Sequence, residues 1–371
     1  VKFKKNGKVR YWIQFRIPGT NQQRKEFVGM SIEEAKAADG KRKVQKHENR
    51  IFDMLPEGKM NFSELAKWYL ELAPVKKLAS YRRVKQVLAN FNQVFGEKQI
   101  GSIKPMEIEE YQAKREKDGA APATIDMEIS IAKTMITKAF DNDLVDGRAV
   151  KAFRNIKRKL KKSANARKRT LSICEYLRLC DVAPPHLRAV LTTAFNTGMR
   201  AGELRLLQWT DVDKNTGFIR LPESKTKERK KKVIPINQNV KDVLDGLPRA
   251  LHHDFVFTYL GEPISYRCGL RRSFTTACNK AGIVKGRSDP DGFVFHDIRH
   301  TVKTNMLSAG VKKEYRDLIL GHSFEGMDAF YINPSDGDLK AAMELYTAWL
   351  DEQIRAARQT AELGNMGNIE A

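Results

Sequence analysis

Residues 154–169, RNIKRKLKKSANARKR, hold nine basic residues and no acidic one. Like charges at this density repel one another, so the run cannot enter a core. It reads as an exposed linker over 156–169, standing between folded bodies. Because phosphate contacts need no fold, Lys157, Arg158, Lys161, Lys162, Arg167, Lys168 and Arg169 are candidates to run across a DNA backbone. The whole chain leans the same way. Its 371 residues carry 67 Lys plus Arg against 45 Asp plus Glu, a net charge of +22 that favours a polyanionic partner. At about 150 residues per domain, two or three domains are expected.

Other classes fall away on composition. The four cysteines, at 174, 180, 268 and 278, form no CxxC pair and no zinc-finger spacing, so they read as small core residues in a reducing compartment. No apolar run reaches the ~18 residues of a membrane span, and the basic start VKFKKNGKVRYW has no apolar segment of signal-peptide type. No membrane partner is expected.

The first expected domain covers 1–55. Val9, Tyr11, Ile13, Phe15 and Ile17 alternate with polar residues, Pro18-Gly19-Thr20-Asn21 makes a turn, and Phe27-Val28-Gly29 starts a return strand. Ser31 with Glu34 signals the start of a basic helix. Lys4, Lys5 and Arg10 fringe this sheet and could lie in a DNA groove. A break at Leu55-Pro56-Glu57-Gly58 precedes a helical bundle over 60–155, in which four amphipathic segments begin near Phe62, Tyr81, Ile103 and Thr124. Arg82 and Arg83 are its DNA-contact candidates. The third domain, 170–337, mixes helices with a small sheet whose strands Phe218–Leu221 and Lys232–Ile236 flank the polar turn ESKTKERKKK. A last amphipathic helix runs from Leu339 to about Ala357, and the tail from Ala361 is expected to be disordered.

Within the third domain, FHDIRHT (295–301) and LGHSFEGMDAFY (320–331) bring His296, Arg299, His322 and Tyr331 into 36 positions. An arginine between two histidines is costly to bury unless a charged ligand sits there. A phosphodiester suits the set: the guanidinium holds two oxygens, imidazoles donate to others, and a phenol can attack phosphorus. Upstream, Arg200 opens a helix after Thr197-Gly198, with Glu203 on the same face to orient it. Lys225 lies in the turn between two strands, where a side chain can reach a ligand.

Arg200, Lys225, His296, Arg299, His322 and Tyr331, in that order and with TGMRAGEL, ESKTKERKKKVIPI, FHDIRHT and LGHSFEGMDAFY around them, resemble the signature of the tyrosine recombinases, the phage-type integrases. The resemblance covers roughly 170–335. It implies a multidomain, mainly α chain with small β-sheets: an arm-type DNA-binding sheet plus helix, a helical core-site DNA-binding domain and an α+β catalytic domain. It also implies a site-specific recombinase of a mobile element that needs no metal, ATP or other cofactor. Tyr331 would form a 3′-phosphotyrosyl bond and release a 5′-hydroxyl. Arg200 and Arg299 would neutralise the non-bridging oxygens, Lys225 would protonate the leaving oxygen, and His296 and His322 would assist. A homo-tetramer on double-stranded attachment-type sites is implied, with DNA-bending and excision-factor proteins as possible partners, in the cytoplasm of a bacterial or phage-infected cell and associated with the nucleoid. The segment 338–371 would be exchanged between subunits.

Three other readings compete: a type IB topoisomerase, a non-catalytic architectural DNA-binding protein, and a metallohydrolase built on the histidines. Arg299 would oppose a metal cation in the last. Among alternative nucleophiles, Tyr315 precedes His322 and breaks the order, and Tyr346 reads as packing in the last helix. His300 reads as structural.

Overall fold

The computed structural model describes residues 2–5, 8–16, 23–47, 60–161, 167–227, 229–287, 289–322 and 334–366. It divides into two compact units, 1–166 and 167–371.

In the first unit, strands β1 (Lys2–Lys5), β2 (Lys8–Arg16) and β3 (Gln23–Gly29) form an antiparallel sheet in the order β1-β2-β3. The expected turn at 18–21 and the break at 55–58 lie outside the described residues. Helix α1 (Ile32–His47) follows, with Ser31 Oγ accepting from the Glu33 amide, and packs on β2 and β3. The helical bundle has the four expected members: α2 (Phe62–Glu71), α4 (Tyr81–Phe95), α5 (Pro105–Lys117) and α6 (Pro122–Phe140). Two short helices, α3 (Ala73–Lys76) and α7 (Gly147–Arg154), complete it. Apolar residues at helical spacing meet in one aromatic core, where Phe91 stacks on Phe62 at 5.5 Å and on Tyr111 at 4.3 Å. Buried Glu128 is satisfied by Tyr111, Asn90 and a two-pronged Arg115.

The basic run departs from the expected free linker at both ends. Ile156 is buried, and the amides of Lys159 and Leu160 donate to the buried Asp126 carboxylate at 2.7 and 3.0 Å. Arg167 grips Asp297 through two parallel bonds of 3.1 and 2.8 Å, and Arg169 pairs with Glu175. Charge repulsion within the run loses to these placed carboxylates, because a bidentate guanidinium–carboxylate pair is among the stronger polar contacts. Arg167 and Arg169 are therefore committed to protein partners, whereas Lys157, Arg158, Lys161 and Lys168 are exposed. Lys162 lies outside the described residues. Arg10, Arg82 and Arg83 are exposed, and Lys4 and Lys5 sit on β1.

The second unit is built around α9 (Pro185–Thr197), buried along most of its length. Helix α8 (Ile173–Val182), with a capping box between Ser172 and Glu175, packs beside it. Helix α10 (Ala201–Leu206) leads into a sheet ordered β4-β5-β6: Val212–Asp213, Phe218–Leu221 and Lys232–Pro235. In it, Ile219 pairs with Ile234 and Leu221 with Lys232. Helix α11 (Gln238–Gly246), the small hairpin β7 (Thr258–Tyr259) and β8 (Glu262–Pro263), and helices α12 (Arg271–Lys280), α13 (Asp297–Ser308) and α14 (Lys313–Leu320) follow.

The C-terminal helix, Asp336–Met366, is longer than the expected 339–357 and takes in the first part of the supposed tail. Asp336–Asp338 form its first turn, fixed by reciprocal bonds between Ser335 and Asp338. Its stripe of Leu339, Met343, Tyr346 and Leu350 is buried on its own domain, and the Tyr346 hydroxyl donates to the Phe195 carbonyl at 2.7 Å. This apolar stripe is thus covered within the second unit. Two cysteines also depart from expectation: Cys278 is buried, but Cys174 and Cys268 are exposed.

Helix α9 ends at Gly198 in the left-handed region, φ 65°, and a Cβ there would lie 2.3 Å from Leu320 Cδ2. Only a residue without a side chain lets α9 turn into the Arg200 segment while α14 packs this closely. We expect Gly198→Ala to lower stability by about 1–3 kcal/mol through overpacking, read as a lower midpoint in urea with unchanged slope.

Candidate active site

Five of the six residues picked out by their order lie among the described residues, all in the second unit; Tyr331 lies outside them. Arg200 is the N-cap of α10. Its amide donates to Glu203 Oε2 at 3.0 Å, and its Nη1 to Glu203 Oε1 at 2.7 Å. Arg299, in the first turn of α13, is only 5% exposed and donates from Nη1 to the Gly198 carbonyl at 3.0 Å. That single bond ties the second arginine to the turn from which the first emerges. Convergence is also electrostatic, since both guanidiniums depress the basicity of His296 and of Lys232.

His296 is the N-cap of α13, immediately before Asp297, whose carboxylate anchors Arg167 and accepts from the Val294 amide at 2.9 Å. Burial first, and then His300, Arg299 and Arg200, hold the His296 imidazole below its ordinary pKa despite nearby Asp297. At neutral pH it is a neutral ring, able to accept a proton. His300 is exposed and stands edge-on to His296 at 5.3 Å.

His322 follows Gly321, which ends α14 at φ 71°. Its Nδ1 lies 3.0 Å from Asp317 Oδ1, and Lys303 Nζ donates to the same oxygen at 2.8 Å. Lys225 lies in a short 3₁₀ turn, Glu223–Lys225, after β5 and donates to Gln208 Oε1 and Asp211 Oδ2, both at 2.6 Å. Of the other lysines in that segment, Lys227, Lys230 and Lys231 are exposed.

Lys232 is different, although in the sequence it is one of several basic residues that crowd the Lys225 turn. At 3% exposure its Nζ donates to Glu203 Oε2 at 2.8 Å. Burial pulls its pKa down to about 8, with Glu203 opposing and Arg299 and Arg200 adding to the fall. Glu203 itself is pushed up by burial, but Lys232 and Arg200 outweigh that and hold it ionised. The partners Asp317, Lys303 and Asp211 were missed by sequence reasoning. Lys303 stands four residues after Arg299, one helical turn on, and that spacing was the available signal. The alternative nucleophiles are poorly placed: Tyr346 is fully buried with its pKa raised by that burial, and Tyr315 packs against the core.

Arg200 and Arg299 thus stand within electrostatic reach of His296, and Arg299 within that of His322, a set of groups whose chemistry suits an anionic oxygen ligand. Among the described residues no group of His, Cys, Asp or Glu could hold a metal ion. Residues 164–337 match the phage integrase family. The chain thus carries a domain of that family, the tyrosine recombinases. It is 24% identical to a tyrosine recombinase XerC-like protein of Caldanaerobacter subterraneus, over 86% of this chain and 90% of that one. It is 26% identical to the integrase of Salmonella phage P22 over 41% of this chain and 40% of that one. Its fold is similar to that of lambda integrase in a dimer bound to a COC′ core site, with a TM-score of 0.60, 17% identity, and coverage of 90% of this chain and 94% of that one. It is likewise similar to the Tn1549 transposon integrase bound to transposon right-end DNA, at a TM-score of 0.59, 18% identity, and coverage of 77% and 99%.

The buried Lys232–Glu203 pair yields a pH-dependent expectation. Glu203→Gln leaves the ammonium among guanidiniums, so at pH 7 stability should fall by about 3 kcal/mol, the low end for breaking a buried pair. Wild-type Lys232 sheds its proton as pH rises through about 8, so the difference from wild type should shrink by pH 9. Thermal melts of both proteins at pH 7 and pH 9 check this.

Proposed function

We propose that this recombinase is the integrase of a mobile element and that it cuts and rejoins DNA through a 3′-phosphotyrosyl intermediate on Tyr331. The observation that carries the reading is the bond from Arg299 to the Gly198 carbonyl, which brings two arginines a hundred residues apart to one turn beside His296. In this reading the Tyr331 oxygen attacks phosphorus, the 5′ oxygen leaves, and the phenolic proton passes to neutral His296. Arg200 and Arg299 hold the non-bridging oxygens as charge builds, and Lys225 gives the leaving oxygen its proton. The phosphodiester energy is kept in the new ester, so rejoining needs no external energy source.

The N-terminal sheet with its basic fringe supports an element integrase that binds arm-type sites in addition to the core site. Assembly as a homo-tetramer on double-stranded attachment-type DNA is proposed by analogy with lambda integrase, whose tetramer is bound to a Holliday junction. DNA-bending and excision-factor proteins would assist the reaction.

The test is incubation with nicked suicide duplexes in EDTA. A covalent adduct mapping to Tyr331 is expected, abolished in Tyr331→Phe. Arg200→Ala or Arg299→Ala should each slow adduct formation by about 10²–10³-fold, as for loss of one preorganised donor. Full adduct yield from Tyr331→Phe would refute the assignment.

A further inference from the structure

His322 is not a lone imidazole. Asp317 is mostly buried, with a side chain 11% exposed, and its Oδ1 lies 3.0 Å from His322 Nδ1. Burial pushes the Asp317 carboxyl up, but Lys303 and His322 outweigh that and hold it ionised. Hydrogen on Nδ1 makes this contact with the ionised oxygen a bond instead of a lone-pair repulsion, and that form leaves Nε2 for a ligand. Nδ1–H and Lys303 Nζ share one acceptor, which places them 3.2 Å apart. A neutral ring in this form has a bare lone pair at Nε2 and cannot donate to a phosphate oxygen. To donate, the ring must be doubly protonated.

Resting on the phosphotyrosine reading above, we propose that Asp317 is a positioning residue that fixes the Nδ1–H form of His322 and lets DNA phosphate be met by its imidazolium. The charged surroundings of the ring are Asp317 on its own helix, Lys303 and Arg299 from α13, and Lys232 from β6, whose stem packs against Gly321. Burial, Arg299 and Lys303 lower the affinity of the ring for its second proton, and Asp317 alone among these raises it. An arriving phosphate adds a second anion on the Nε2 side. The pair Asp317–phosphate would then hold the imidazolium between two negative charges, so His322 gains its proton as DNA binds. Lys303 acts in the opposite sense and sets how late that protonation comes.

Two measurements on the full-length protein test this. In ¹⁵N-histidine NMR, with His322→Gln assigning the resonance, wild-type His322 should show hydrogen on Nδ1 when neutral. Asp317→Asn should lower its pKa, Lys303→Met should raise it, and Asp317→Glu should restore most of the wild-type value. In suicide-duplex cleavage, Asp317→Asn should be slower than wild type by about tenfold for each pKa unit lost at pH 8, with the deficit closing towards pH 6. A His322 titration identical in Asp317→Asn and wild type overturns the proposal whether or not DNA is cleaved. So does a cleavage deficit of the same size at every pH, which would mark Asp317 as merely structural. If the titration shifts as expected but wild type forms no adduct at Tyr331, the functional reading fails instead.

Discussion

The carboxylate of Glu203 is the interaction on which the site depends. Arg299 and Lys232 are buried with Arg200 beside them, and without a counter-charge these cations would drive the elements that carry them apart. Glu203 accepts from the Arg200 amide, the Arg200 guanidinium and the Lys232 ammonium at once. It joins the start of α10 to strand β6, so the small sheet and the helical body are held together at the point where a phosphate would bind. The anion is fully engaged by protein donors, which leaves the net field of the site positive. In the proposed reaction a DNA phosphate would supply the charge that the protein withholds, and its binding would relieve repulsion instead of adding a new burial cost.

A second constraint is geometric. Gly198 and Gly321 both end helices in the left-handed region, and both are crowded: the first by Leu320 and Val302, the second by the Lys232 stem. Each is followed within two residues by a candidate site residue, Arg200 in one case and His322 in the other. The helices α9 and α14 thus stop where the chain can reverse tightly, in turns where a Cβ would crowd its neighbours, severely at Gly198. Rigid ends of well-packed helices place these groups more accurately than long loops could.

Much of this was legible in the sequence because it was periodic or ordered. Helical spacing located α2, α4, α5 and α6, and the order of the motifs picked out Arg200, His296, Arg299 and His322, which the fold brings within electrostatic reach of one another. What escaped was set by tertiary contacts. The run at 154–169 reads as free because its own composition contains no acid, yet its ends are held by Asp126 and Asp297, neither of them adjacent in sequence. Lys232 reads as one more residue of a basic turn, but strand pairing with Leu221 brings it inward onto Glu203. Asp317 lies five residues before His322, a spacing that becomes a contact only because Gly321 reverses the chain.

The distribution of tyrosines bears on how chemistry would be confined to one residue. A phenol becomes a useful nucleophile only where it is reachable and where cations favour the phenolate. Tyr346 fails on the first count: its hydroxyl is bonded to a helix carbonyl in a dry core, and burial raises its pKa instead of lowering it. Tyr315 packs on the apolar body and precedes the turn that presents His322. Tyr176 lies stacked on Phe195 at 3.8 Å, likewise buried and raised. The fold thus withdraws these three second-unit phenols from phosphorus chemistry by packing them. In the proposed reaction the nucleophile is Tyr331, nine residues after His322 in the sequence.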